Sequence, residues 1–217
     1  ADWHPGGDML LRTNIAAYYA NYKDLQRLIT DPTTLPLTTT AQNAGKARIK
    51  GLELDILFRP IPQIELTANY AYTDAKYKSF FLPNPANPSV LDDHSKDPFG
   101  RAPKNVYTLG ARFTQPLNDG GTISIGGNYF HSDRYAGNES YDPYVYVNGY
   151  NLVNVDARWD SVMGSPIDIS AFINNLTKER YSYLYSSNPA SGVVVHSPGA
   201  PRTWGVRMTV HFGASGD

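Results

Sequence analysis

The chain of 217 residues contains no cysteine. That excludes a disulfide framework and a thiolate metal site, although it names no compartment. Nor does it contain a run of about 18 apolar residues, so a transmembrane helix is excluded. A transmembrane β-barrel is not, because its lipid face needs only every second residue to be apolar. Neither sign of charge dominates: 19 Lys and Arg stand against 20 Asp and Glu, a net charge of −1. No electrostatic nucleic-acid partner is therefore indicated. The opening residues, ADWHPGGDML, lack the basic region and apolar stretch of a signal peptide. An exported chain would have lost its signal, or this is not the start of its gene product.

What the chain does contain is 16 Tyr, 18 Gly and 16 Pro, a composition of strands, turns and interface aromatics rather than helices. The stretch IELTANYAYT (64–73) alternates throughout. Ile64, Leu66, Ala68, Tyr70 and Tyr72 fall on one face, with Glu65, Thr67, Asn69, Ala71 and Thr73 on the other. A soluble sandwich turns such an apolar face inward, and a membrane barrel turns it towards lipid.

Eight segments share this period, near 10–25, 46–59, 63–77, 104–116, 121–135, 150–161, 166–181 and 202–212. Their connections alternate in length. RPIPQ (59–63), PLNDGG (116–121) and SVMGSP (161–166) are short, whereas 26–45, 78–103, 136–149 and 182–201 are long. Outer-membrane barrels sort their connections in this way, with short turns periplasmic and long loops extracellular. The C-terminus is then expected in the periplasm.

Aromatic placement points the same way. Phe58, Phe113, Trp159 and Phe212 share the apolar face near the periplasmic end. Tyr19, Tyr72, Tyr107, Tyr129 and Trp204 lie on that face near the other end. Two aromatic belts around an apolar band suit a bilayer, because amphipathic rings prefer the headgroup level. The expected fold is therefore all-β: an antiparallel transmembrane β-barrel segment of about eight strands, its polar face inside. A soluble β-sandwich requires both patterns to be accidents. A closed eight-stranded barrel is topologically allowed, but the inward residues Ala16, Gly51, Gly110, Ser124, Gly126, Ser170 and Gly205 are too small to fill a narrow lumen.

Several stretches resemble the C-terminal barrel half of TonB-dependent outer-membrane receptors. NIAAYYANYKDLQ (14–26), NAGKARIKGLELDILFRP (43–60), ANYAYTDAKYK (68–78) and RAPKNVYTLGARF (101–113) follow in that family's order. INNLTKERY (173–181) is similar to its penultimate-strand motif, and GAPRTWGVRMTVHF (199–212) to its closing strand. A departure is GASGD after Phe212, where such strands commonly end on an aromatic. The resemblance implies that residues 1–217 are the closing part of a larger barrel, of the roughly 22-stranded plugged kind. It implies as partners the remaining N-terminal strands and plug of the same receptor, the TonB energising complex, outer-membrane lipid and a small-molecule ligand. It further implies active uptake of a scarce ligand, a ferric siderophore or other metal chelate before cobalamin or carbohydrate. That is transport rather than catalysis, with no cofactor.

Candidate ligand residues lie in the long connections. Asp92, Asp93, His94 and Asp97 offer oxygen and imidazole ligands in a short span, but match no dedicated metal loop. Arg101 could pair an anionic chelate, or neutralise those acids. Tyr141, Tyr144, Tyr146 and Tyr150, then Tyr181, Tyr183, Tyr185 and His196, give stacking area with polar tips, or else anchor the loops. The HSD run at 131–133 is no catalytic triad, since alternation turns Ser132 away from His131 and Asp133. Glu53, Asp55, Arg112, Asp156, Arg158, Arg207 and His211 face the lumen, where pairing with one another or with a plug is the expected role.

Overall fold

The computed structural model describes residues 2–4, 6, 8–31, 38–84, 86–137, 146–188 and 193–213, with backbone alone at 27–31, 38–40, 42, 44, 88 and 186–188. In chain order the strands are β1 (Asp2–Trp3), β2 (Leu10–Asp31), β3 (Thr38–Ile61), β4 (Ile64–Asn84), β5 (Asn87–Asp93), β6 (Asn105–Leu117) and β7 (Gly121–Ser132). There follow β8 (Tyr135–Ala136), β9 (Tyr146–Val147), β10 (Tyr150–Asp160), β11 (Ile167–Asn174), β12 (Ser182–Asn188), β13 (Val193–Pro198) and β14 (Thr203–Val210). The main sheet runs β1-β2-β3-β4-β6-β7-β10-β11-β14, with β5 added to β4. Every neighbour is antiparallel. The eight long strands are those expected from alternation, in a simple meander.

Among the described residues the sheet does not close on itself. The outer edge of β2 pairs with β1 at Leu11 and Arg12 and nowhere with β14, so the closed eight-stranded barrel is not formed.

Tight turns at one end follow from local chemistry. Asp119 and Gly121 take positive φ (52° and 81°) after β6, while Ser161, Met163 and Gly164 do so (49°, 51° and 73°) after β10. At the other end the long connections are built differently from what alternation suggested. The β2–β3 ladder continues outward to Asp31↔Thr38, β4 folds back to pair with β5, and β12 pairs with β13. These are protruding hairpins and not irregular loops. Bulges between Tyr22 and Leu25 and between Lys46 and Ala47 reverse the parity of side chains there, which hid the continuing strands from a period-two reading. The buried cluster sits at the base of these hairpins. Ala47, Tyr77 and Phe80 pack with Leu25, Leu82 and Phe99, and the Tyr77 and Phe80 rings stack at 4.5 Å.

Cross-strand register settles which residues share a face. One rung joins Leu11, Phe58, Leu66, Ala111, Gly127, Val155, Ile173 and Trp204. It starts near the turn end of β3 and finishes at the hairpin end of β14, the stagger of strands tilted in a barrel wall. Between Leu11 and Tyr19, Leu52 and Phe58, Ile64 and Tyr72, and along this face of β6, β7, β10, β11 and β14, no Asp, Glu, Lys or Arg occurs. The face is bare: Ile15 is 71% exposed, Val206 69% and Ile125 58%. Among the described residues no second layer covers it, which sets aside the soluble sandwich.

The opposite face is laced with polar contacts. Arg112 donates to both oxygens of Asp156 at 2.9 Å, Asn69 to Asp55 at 2.7 Å, and Asn154 to Asn128 at 3.0 Å. Gly126 leaves the space this requires, since a Cβ there would stand 2.8 Å from the Arg112 guanidinium carbon. Arg59 pairs with Glu65, and Arg158 with Asp160 and Asp168.

Candidate functional site at the hairpin end of the wall

After Asn174 the chain leaves the wall in a turn pinned by one side chain. Asn175 takes φ 51°, a conformation that asparagine tolerates better than most residues, and it is 4% exposed. Its Nδ2 donates to the carbonyls of Glu179 (2.9 Å) and Ala200 (3.1 Å), and its Oδ1 accepts from the Glu179 amide (2.7 Å). Its own amide donates to Asn154 Oδ1 at 2.9 Å. The turn is thus tied to the polar face of β10 and to the strand entering β14.

This arrangement opens a cavity of about 570 Å³ between the turn, the start of β10 and the β12–β13 hairpin, a size suited to a small organic ligand. Its walls include Tyr150, Arg180, Tyr181, Tyr185 and His196. Tyr150 and Tyr181 stack at 4.5 Å, and Tyr185 and His196 at 5.5 Å. Gly199 lets the Tyr181 ring lie flat, since a Cβ there would stand 2.1 Å from it. His196 Nδ1 is 2.9 Å from Ser182 Oγ. Flat rings, one guanidinium and an imidazole can hold an aromatic, anionic or metal-chelating molecule by stacking and charge-assisted hydrogen bonds.

The other candidates are distributed around this cavity. The Tyr183 ring is exposed, and its carbonyl accepts from Tyr135 at 2.9 Å. Burial raises the Tyr135 hydroxyl above its ordinary pKa. Tyr146 carries the Arg134 guanidinium over its ring at 4.1 Å, a cation–π contact. Tyr141 and Tyr144 lie outside the described residues.

Asp92, Asp93, His94 and Asp97 do not converge. Asp92 accepts from Asn84 at 3.0 Å, Asp93 from the Ser95 amide at 2.8 Å, and His94 Nδ1 meets Asp97 at 2.7 Å. Hydrogen bonds from the Ser95 side chain and amide hold the Asp93 carboxyl below the ordinary carboxylate range. Among the described residues no group of three or more His, Asp or Glu side chains is arranged to hold a metal.

Arg101 is spoken for. At φ 56° its amide donates to Ala136 at 2.7 Å and its Nε to Gly137 at 3.3 Å, fastening two hairpin bases together.

The HSD run behaves as alternation requires. His131 Nε2 lies 3.2 Å from Asp133, its Nδ1 meets Asn151 at 2.7 Å, and Ser132 turns to the opposite face. Burial works against the Asp133 charge, but the Asn105 side chain and His131 outweigh it and lower its pKa.

Arg180, with Glu179 beside it, is a charged cavity residue that sequence reasoning did not single out. Its place between Asn175 and the tyrosines, within KERY (178–181), was the available signal.

Among the described residues, a wall bare and uncharged on one face and ion-paired on the other defines part of a membrane-spanning β-barrel. The chain belongs to the TonB-dependent receptor family: the family described as "TonB dependent receptor-like, beta-barrel" matches residues 2–176. Solved structures share the fold. The ferric yersiniabactin uptake receptor FyuA from Yersinia pestis superposes with a TM-score of 0.72 at 17% identity over 98% of this chain and 29% of its own. The siderophore receptor PiuA from Acinetobacter baumannii gives 0.66 at 18% over 93% and 26%, and the ferric-catecholate import receptor Fiu from K12 E. coli 0.65 at 19% over 97% and 26%. The chain therefore spans between 26 and 29% of the length of these three relatives.

Proposed function

We propose that this chain is the closing wall of an outer-membrane active transporter that takes up a ferric siderophore or another metal chelate. The observation carrying this reading is the cavity between Tyr150, Arg180, Tyr181, Tyr185 and His196, at the hairpin rim of a TonB-dependent receptor wall. The relatives, receptors for ferric yersiniabactin, a siderophore and a ferric catecholate, favour a chelate over a sugar. The hairpins face the extracellular medium, while the tight turns and Phe212 face the periplasm. Phe58, Phe113, Trp159 and Phe212 then form the inner aromatic belt, and Tyr19, Tyr72, Tyr107, Tyr129 and Trp204 the outer one.

A plug and further strands of the same receptor complete the lumen, and the TonB complex supplies energy by acting on that plug. The ion-paired polar face is the wall along which the plug moves. Asp92, Asp93, His94, Asp97, Arg101, Tyr146 and Tyr183 support the hairpins that carry the site, with ligand contact centred on Tyr185 and His196. The test is uptake of radiolabelled ferric iron by cells expressing the whole receptor, presented in turn with catecholate, hydroxamate and mixed chelates. Energy-dependent uptake of one class, abolished in a Tyr185→Ala/His196→Ala variant that still reaches the membrane, is the expected result. Uptake that continues without a proton-motive force, or none for any chelate, would refute the reading.

A further inference from the structure

The outward row changes character beyond Tyr19, Leu52 and Tyr72. The uncharged outward rows there span 9 residues of β2 (Leu11–Tyr19), 10 of β3 (Leu52–Ile61) and 9 of β4 (Ile64–Tyr72), about the length a tilted strand needs to cross a bilayer. The next outward positions are Lys50 and Asp74, paired with each other, then Arg48 and Lys76, likewise paired. Three cations converge on one carboxylate. Lys76 Nζ lies 3.3 Å from Asp74 Oδ1, and Arg48 Nη2 and Lys50 Nζ lie 3.5 and 3.6 Å from Oδ2. Burial opposes the Asp74 charge, but the Lys76 hydrogen bond and the three positive charges outweigh it and hold its pKa low.

The carboxylate is largely covered, at 13% exposure, while Lys50 and Lys76 are 47% and 66% exposed. Asp74 cancels one charge and orders the cluster, leaving an excess of two positive charges facing away from the polar face. Lys78 joins from the same side, donating to Asn21 at 2.7 Å, and Lys104 sits 5.8 Å over the Tyr72 ring. The turn-end rim of the outward row, at Ile61, Ile64, Leu117, Ile123 and Ile167, carries no charge among the described residues.

We infer that Arg48, Lys50 and Lys76, held by Asp74, form a docking site for the phosphate groups of an outer-leaflet glycolipid. The site faces lipid and not the lumen, and it begins level with Tyr19 and one residue pair beyond Tyr72 of the aromatic belt, where headgroup phosphates lie. Arg48 supplies a planar fork and the lysines mobile point charges, a combination suited to phosphate. This inference rests on the hairpin rim facing outward, but not on the identity of any transported ligand.

The experiment uses the whole receptor purified in mild detergent, with native mass spectrometry and titration against three probes: bisphosphorylated lipid A, its fully dephosphorylated form, and inorganic phosphate. Bisphosphorylated lipid A should bind at least tenfold more tightly than the dephosphorylated form. That preference should vanish in Lys50→Gln/Lys76→Gln, but persist in the control Lys96→Gln. Circular dichroism and chelate uptake are followed in parallel. A folded variant that loses the lipid preference but still takes up chelate separates this site from the transport reading. Equal binding of both lipids, an undiminished preference in the folded double variant, or displacement of the lipid by inorganic phosphate at equal concentration would overturn it.

Discussion

Replacing Asn175 should loosen the turn that frames the cavity, and two substitutions separate the reasons. The side chain makes three hydrogen bonds, two from Nδ2 and one to Oδ1. Each neutral bond is worth about 1 kcal/mol net, so Asn175→Gly should destabilise the turn by about 3 kcal/mol. Asn175→Ala loses the same bonds and costs about 1 kcal/mol more than glycine at φ 51°, a region that asparagine tolerates and alanine does not. The Glu179 amide is the natural reporter, because its acceptor is Asn175 Oδ1. In the intact receptor in lipid, exchange at that amide should rise roughly a hundredfold in the glycine variant and about a thousandfold in the alanine variant. Amides in the middle of β10 should be unchanged. Equal rates for the two variants would refute the strained turn, and rates within threefold of the wild type for both would refute the pin itself.

Other outcomes follow from the same geometry. Val155→Lys, on the bare face, should cost about 2–4 kcal/mol in refolding into vesicles, whereas Ser124→Lys on the polar face should cost much less. Removing the Arg112–Asp156 pair by Asp156→Asn should change stability by no more than about 1 kcal/mol, because the two side chains are 39% and 41% exposed; a loss of several kcal/mol would show that a buried partner covers them. Gly199→Ala should displace the Tyr181 ring and weaken chelate binding, with Gly199→Ala/Tyr181→Ala less perturbed in fold than the single variant. The Asp93 carboxyl, depressed below 3.8 by Ser95, stabilises its hairpin above that value. The contribution is lost as pH falls through the lower folded value. Proteolysis at the β5 tip should therefore rise in acid for the wild type, and Asp93→Asn should flatten that dependence.

The wall was legible in the sequence because its physics is strictly periodic. Alternation through IELTANYAYT, and the sorting of NDGG and SVMGSP to one end, located all eight long strands. It was not legible that β2 and β4 run on past residues 25 and 77 and that β3 begins before 46, because a bulge shifts parity by one residue and imitates the end of a strand. That the segment expected to run to 181 stops at Asn174 was hidden because INNLTKERY holds no Gly or Pro to mark the break, while Asn175 and Lys178 turn the backbone at φ 51° and 59°. The cavity was half legible. Tyrosine-rich connections marked its materials, Tyr185 and His196 included, but Tyr150 meets Tyr181 only through the register of β10 and the Asn175 turn. The acidic run 92–97 gave the opposite lesson. Proximity in sequence suggested a shared ligand, whereas hairpin geometry gives each acid its own local donor.

The central claim is that one face of this wall meets lipid and the other water. The absence of cysteine in these 217 residues makes it directly measurable. Single cysteines at Val153, Asn154, Val155 and Asp156, introduced into the whole receptor in a cysteine-free background, would be exposed in native membranes to a charged maleimide and to a lipid-confined one. The account predicts strict alternation, with 154 and 156 labelled from water and 153 and 155 from lipid. Equal aqueous labelling at all four positions would contradict it.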